Sequence, residues 1–180
     1  MAVLIYAHPY PTRSRANRAL LDAVSDLPNL QIRSLYDLYP DFDIDIEAEQ
    51  GGLSASKLVV WQHPLYWYSV PGLLKHWFDK VLARGWAYGE GGQALHGKRC
   101  LWVTTSGGNE QAFTLEGMHA HPLTAFVPPI EQTARFCGMT WLEPVVVHGA
   151  HQVSEALLGE AATGYRARLQ ALLADEGAAP

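Results

Sequence analysis

Three short segments hold residue types that bind and react rather than merely pack. The first is His8-Pro9-Tyr10-Pro11-Thr12-Arg13-Ser14-Arg15-Ala16-Asn17. Ser14 sits where the N-cap of a helix is expected, so its hydroxyl and the N–H groups of Arg15, Ala16 and Asn17 would point out of the helix start. That is an anion site, with about 0.3–1 kcal/mol per charge from the helix dipole alone. His8 and Arg15 add donors suited to a phosphate monoester. A capped helix behind a rigid proline loop accounts for the same residues. No GxGxxG or GxxxxGK[ST] pattern is present, so the dinucleotide and P-loop fingerprints are excluded.

The second segment is Gln62-His63-Pro64-Leu65-Tyr66-Trp67-Tyr68-Ser69-Val70-Pro71. Three consecutive aromatic residues, Tyr66, Trp67 and Tyr68, stiffened by flanking prolines, suit a planar heterocycle such as an isoalloxazine. The competing reading makes Tyr66 and Trp67 ordinary core or interface residues. His63, before a proline, reads as scaffold. The third segment, Thr105-Ser106-Gly107-Gly108-Asn109, offers backbone N–H groups that glycine lets a ligand approach. Such donors fit the edge of a flavin on which negative charge collects. A plain Gly-Gly turn is the alternative.

His119 and His121 follow in Phe113-Thr114-Leu115-Glu116-Gly117-Met118-His119-Ala120-His121. A metal site needs further ligands at suitable spacing, and neither a Cys pair nor HExxH supplies them, so no metal is expected. Gly85-Trp86-Ala87-Tyr88-Gly89-Glu90-Gly91-Gly92 reads as a mobile loop with aromatic anchors, rimming a pocket or a dimer contact.

These segments need a scaffold that brings them together. The chain has 180 residues and is 48% hydrophobic, enough for one domain with a sizeable core. Short apolar runs at Val3 to Ala7, Gln31 to Leu35, Leu58 to Gln62, Cys100 to Thr104 and Pro144 to His148 read as buried strands. Helical patterns lie between them: Ser14 to about Val24, Ile46 to Ala55, Pro71 to about Leu82, Pro129 to Phe136, and Ser154 to about Leu173. This alternation predicts an α/β fold, a five-stranded parallel sheet of order 2-1-3-4-5 with helices on both faces. One domain is expected over residues 1–173, with a frayed tail at 174–180. Ligands of such sheets bind beyond the carboxyl ends of the strands, which is where the three segments fall. A net charge of −5 argues against nucleic acid. Two cysteines without metal spacing, no basic leader and no apolar run of spanning length fit a cytoplasmic protein.

Taken in order along residues 2 to 173, the motifs resemble the DT-diaphorase-like NAD(P)H:quinone oxidoreductases, the flavodoxin-2 group, with its flavodoxin-like fold. The resemblance lies in Tyr6-Ala7-His8-Pro9 with Ser14 and Asn17, Pro64 to Pro71, Leu73 to Val81, Trp86-Ala87-Tyr88, Thr105 to Gly108, and Phe136-Cys137-Gly138-Met139. Leu35 to Ile46, Glu49-Gln50 and Leu95-His96-Gly97-Lys98 resemble the ancillary flavoproteins of the glutathione-regulated potassium-efflux system. The resemblance implies FMN, favoured over FAD by the short chain, with NAD(P)H as co-substrate and quinone as acceptor. It implies two-electron hydride transfer by a ping-pong mechanism. His8 and Ser14 to Asn17 would hold the phosphate and ribityl chain. Leu65, Tyr66, Trp67 and Tyr68 would line the ring system, and Thr105, Ser106, Gly107 and Gly108 would hold its pyrimidine edge. His119 takes the place of the family's active-site histidine, whereas Phe113 replaces a tyrosine six positions before it. A two-residue relay is thereby put in doubt, and His119 is left as the catalytic candidate. A homodimer is expected, as is docking on a membrane potassium-efflux protein at the cytoplasmic face of the inner membrane. The rival readings are a regulatory flavoprotein with incidental reductase activity and a flavodoxin-type electron carrier.

Overall fold

The computed structural model describes residues 1–175. Its strands are β1 (Ala2–Tyr6), β2 (Leu30–Ser34), β3 (Leu58–Pro64), β4 (Arg99–Thr105), β5 (Thr140–Trp141) and β6 (Val145–Val147). Its α-helices are α1 (Ala16–Val24), α2 (Leu35–Leu38), α3 (Ile46–Ala55), α4 (Gly72–Val81), α5 (Pro128–Phe136) and α6 (Glu155–Ala174). The sheet has the order β2-β1-β3-β4-β5, with β6 also paired to β4, and these strands all pair in parallel. This is the expected flavodoxin-like α/β architecture.

The apolar runs are continuous because both faces of the sheet are covered. Val3, Ile5, Val59, Trp61, Cys100 and Trp102 pack on one side, beneath α3, α4 and α5. Ala2, Leu4, Tyr6, Leu58, Val60, Leu101 and Val103 pack on the other, beneath α1 and α6. One residue of register slip would exchange these two sets. The register places Tyr6 beside Gln62, Pro64 beside Thr105, and Thr105 beside Val147. The carboxyl ends of β1, β3, β4 and β6 therefore finish along one edge.

Three boundaries differ from the sequence reading. Pro11–Arg13 forms a 3-10 turn that ends at Ser14, and α1 begins only at Ala16 with Arg15 as its N-cap. Ser14 is thus not the N-cap, because the prolines first commit the chain to a tighter turn. The strand expected over Gln31 to Leu35 ends at Ser34, and Leu35 opens α2. The fifth sheet position is filled by two short pieces, β5 and β6, separated around Pro144, which cannot donate to a ladder. The Gly85–Gly92 segment is folded on its own backbone: Gly85 N donates to Tyr88 O at 2.8 Å, and Ala87 is fully buried. The tail expected from residue 174 lies, from 176 onward, outside the described residues.

Two buried polar centres fix the sheet to its surroundings. Glu49 is buried on α3, and its Oε1 accepts from Arg33 Nε at 2.9 Å and from the Tyr39 hydroxyl at 2.7 Å. Its Oε2 accepts from Trp77 Nε1 at 2.9 Å, so one carboxylate ties β2, α3 and α4 together. His63, fully buried, accepts from Trp102 Nε1 at 2.7 Å through Nε2. Its proton therefore sits on Nδ1 and is donated to Pro64 O at 2.8 Å. This is the scaffold role read from the sequence. Burial pushes the His63 imidazole down from 6.5 to about 4.

His63 consequently makes stability depend on pH. Above pH 6.5 the ring is neutral folded or unfolded. Below it the unfolded chain takes up a proton that the folded chain refuses, so stability falls as pH drops from 6.5 toward 4. Between pH 7 and pH 5 wild type should lose roughly 2 kcal/mol more than His63→Gln, whose amide oxygen can still accept from Trp102. Urea denaturation of both proteins across that range checks this. Parallel stability curves would contradict it.

Candidate active site

The sheet edge carries two adjoining clefts, of about 280 and about 200 Å³. Together they gather every candidate residue of the sequence reading. His8, Ser14, Arg15, Ala16, Asn17, Tyr66 and Thr105 line the larger one. Trp67, Tyr68, Ser106, Gly108, Phe113 and His119 line the smaller. Leu65 and Gly107 border both, so the two form one continuous groove. It runs over the point where the strand order reverses between β1 and β3, the usual ligand site of such sheets.

The larger end exposes the uncapped start of α1. The first N–H groups of a helix have no intrahelical partner. No side chain caps α1, whose first turn holds no acidic residue. His8 accepts from Tyr10 N at 3.0 Å through Nδ1, so its proton is on Nε2. Burial holds its pKa below the ordinary imidazole value, so the ring acts as a neutral donor near pH 7. Asn17 is buried and donates from Nδ2 to Thr105 Oγ1 at 2.6 Å, while its Oδ1 is buried without a protein partner. Gln62 Nε2 fixes the start of α1 by donating to Asn17 O at 2.9 Å.

Arg15 departs from its expected role as a free donor. Its guanidinium donates to Glu155 Oε1 at 3.0 and 2.6 Å and to Val153 O at 2.6 Å. It clamps the start of α6 to the start of α1, and only its backbone N–H remains for a ligand. The exposed cation of this cleft is Arg13, which the sequence reading passed over, as it did Tyr10, Ala150 and His151. Ala150 and His151 follow β6, so the rule that sites lie after strands would have found them if applied to the last strand.

The smaller end is aromatic. Tyr66 N donates to Ser69 O and Ser69 N to Tyr66 O, at 3.1 and 2.9 Å, closing a two-residue turn. Both central residues have positive φ, Trp67 at 49° and Tyr68 at 62°, the type I′ pattern that normally calls for Asn-Gly. Trp67 is 92% exposed, which rules out a core role for it in this chain. The glycine loop is pinned from behind: Ser106 Oγ donates to Gly108 O at 2.8 Å and lies 3.0 Å from His148 Nδ1. A Cβ at Gly108 would come within 2.7 Å of His119 Nε2, so a larger residue there would displace the His119 ring. Phe113 stacks on His119 with ring centroids 4.2 Å apart. His119 Nε2 is buried with no protein partner. Among the described residues no group of three or more His, Cys, Asp or Glu side chains is placed to hold a metal ion, and no helix is long and apolar enough to cross a membrane.

The model of the Flavodoxin_2 family, described as a flavodoxin-like fold, matches residues 2–169. The chain belongs to the Flavodoxin_2 family. A relative, the glutathione-regulated potassium-efflux system ancillary protein KefF of Salmonella arizonae, is 52% identical over 172 residues, covering 95% of this chain and 96% of that one. Three solved structures share the fold. General stress protein 14 of Treponema denticola, in complex with FMN, superposes with a TM-score of 0.88 at 33% identity, over 95% of this chain and 98% of that one. An NADPH-quinone reductase from P. pentosaceus gives 0.84 at 27% identity, over 93% and 96%. A thermophilic tryptophan halogenase structure from Streptomycin violaceusniger gives 0.88 at 40%, over 94% and 98%. Their names differ in chemistry while their backbones superpose on one fold; among these three structures FMN is named as bound only in the stress protein's.

The turn at Trp67 stores strain next to the groove. A bulky residue in the left-handed region costs about 1–2 kcal/mol, whereas Asn tolerates it. With its side chain exposed, Trp67 has little packing to lose. Trp67→Asn should therefore stabilise the chain by about 1 kcal/mol in thermal or urea denaturation. A lower stability than wild type would contradict the strain.

Proposed function

We propose that this chain is an FMN-dependent NAD(P)H:quinone oxidoreductase that transfers two electrons as hydride in a ping-pong cycle. We also propose that it acts as a homodimer and as an ancillary regulator of a glutathione-regulated potassium-efflux protein at the cytoplasmic membrane face. The observation that supports the first reading is the groove itself: one end offers uncapped helix N–H groups, the other aromatic side chains beside a glycine loop. FMN suits both. Bound there, it would supply the hydride chemistry, accepting from a reduced nicotinamide and delivering to a quinone.

The protein's residues would do the rest. The N–H groups at the start of α1 and the His8 Nε2 proton would bind the phosphate, with Arg13 adding charge from the rim. The unpartnered Asn17 Oδ1 would accept from a ribityl hydroxyl, a donor that suits its buried position. Leu65, Tyr66, Trp67 and Tyr68 would flank the ring system and exclude water. Thr105, Ser106, Gly107 and Gly108 would offer polar groups to the pyrimidine edge. His119 would donate to the negative charge that develops on reduction, satisfying its own orphaned nitrogen. A second copy would cover the apolar rim made by Leu115 and Met118, both at least 80% exposed.

The regulatory part is supported by the KefF relative, named an ancillary protein of the efflux system and matched over nearly its whole length. The structure of a relative with FMN supports the cofactor, and the NADPH-quinone reductase neighbour supports the donor and acceptor.

Aerobically purified protein should carry non-covalent flavin that heat releases as FMN in mass spectrometry. NADH or NADPH should bleach it without oxygen, and a quinone should restore the colour. His119→Gln should keep FMN but slow one half of the cycle, by up to the ~2.7–4 kcal/mol that an oxyanion donor contributes. Finding only FAD, or no flavin after reconstitution, would sink the proposal. Flavin that nicotinamides cannot bleach would leave the electron-carrier reading.

A further inference from the structure

Phe113 occupies the position of the family's tyrosine and has no proton to give, yet His119 does not lack a hydroxyl. Tyr68, from the turn after β3, places its phenol oxygen 3.3 Å from His119 Nδ1. The two rings meet edge to face at 79°, with centroids 5.6 Å apart. Phe126 lies against the other side of Tyr68 at 5.0 Å, and Phe113 backs His119. The histidine is thus held on two sides, with one nitrogen facing a hydroxyl and the other, Nε2, buried against Gly108.

We propose that Tyr68 is the positioning residue of His119: its hydroxyl donates to Nδ1 and so keeps the ring proton on Nε2, toward the glycine floor of the groove. The direction of the bond follows from acid strength. A phenol is a better proton donor than a neutral imidazole, and an imidazole nitrogen a better acceptor than a phenol oxygen. The bond at one ring nitrogen then decides which tautomer is present. A donor to developing negative charge needs the Nε2–H tautomer; with the proton on Nδ1, the buried nitrogen would present a lone pair and repel that charge. The strained backbone fits the same role. A left-handed φ at residue 68 would suit Gly or Asn, and neither carries a hydroxyl that reaches His119. The proposal rests on the reading of His119 as a donor in a flavin groove.

Two readouts of Tyr68→Phe, which keeps the ring and removes only the oxygen, test it. The first is the His119 tautomer, read by long-range proton–nitrogen correlation NMR of the purified protein at a pH where the ring is neutral. Wild type should show the Nε2–H form, and Tyr68→Phe should shift toward a mixture. The second is stopped-flow reoxidation of the reduced protein by a quinone. Tyr68→Phe should slow it about fivefold, the worth of one modest hydrogen bond. His119→Gln should slow it more, and the double variant should be no slower than His119→Gln alone. An unchanged tautomer in Tyr68→Phe would overturn the proposal, and so would rate losses that multiply in the double variant. If the protein binds no flavin, the proposed function fails, while the tautomer measurement still decides what Tyr68 does to His119.

Discussion

The first turn of α1 presents N–H groups that no side chain of the protein caps, at the lip of a groove rather than on an open surface. Unsatisfied donors on a helix start attract negative charge, and no side chain of the protein caps them here. Arg15, the nearest cation, is turned away to Glu155 and Val153, which fixes α6 beside α1 and leaves the helix start open. Gln62, on β3, holds the carbonyl of Asn17 from below and in turn accepts from the Tyr165 hydroxyl of α6 at 3.3 Å. The start of α1 is therefore braced by the central sheet and by α6.

The opposite end of the groove depends on that geometry. Register brings the ends of β1, β3, β4 and β6 level, so the aromatic turn after β3 and the glycine loop after β4 stand side by side. Leu65 N bonds to Thr105 O at 2.8 Å and Ser106 N to Val147 O at 3.0 Å, extending the ladder into the loops. Loops tethered in this way can hold a flat ligand in a defined plane. The buried centres at Glu49 and His63 set the packing of the helix layer and the central strands without touching the groove.

The central strands were legible in the sequence because a strand buried on both faces is apolar along most of its length, as at Val3 to Tyr6, Leu58 to Trp61 and Cys100 to Val103, whereas the edge strand β2 is only partly buried and keeps Gln31 and Arg33. The groove was legible too, since its residues follow strands and are of types that seldom occur together by accident of packing. Three features were not. Ser14 has the chemistry of an N-cap, but Pro11 set up a 3-10 turn first, a competition that residue type does not reveal. Arg15 read as a ligand donor because its partner, Glu155, lies 140 residues away. The pairing of Tyr68 with His119 rests on a type I′ turn built from Trp and Tyr, which no turn propensity predicts.

The central claim is that the helix start of α1 holds a terminal phosphate and that this end of the groove selects the ligand. Titration of flavin-free protein with FMN and with riboflavin isolates that phosphate, because the two share ring and ribityl chain. Two charge-assisted hydrogen bonds at the lower end of their range, about 1.5 kcal/mol each, correspond to roughly a hundredfold. FMN should therefore bind at least that much more tightly than riboflavin. Equal affinities would contradict it.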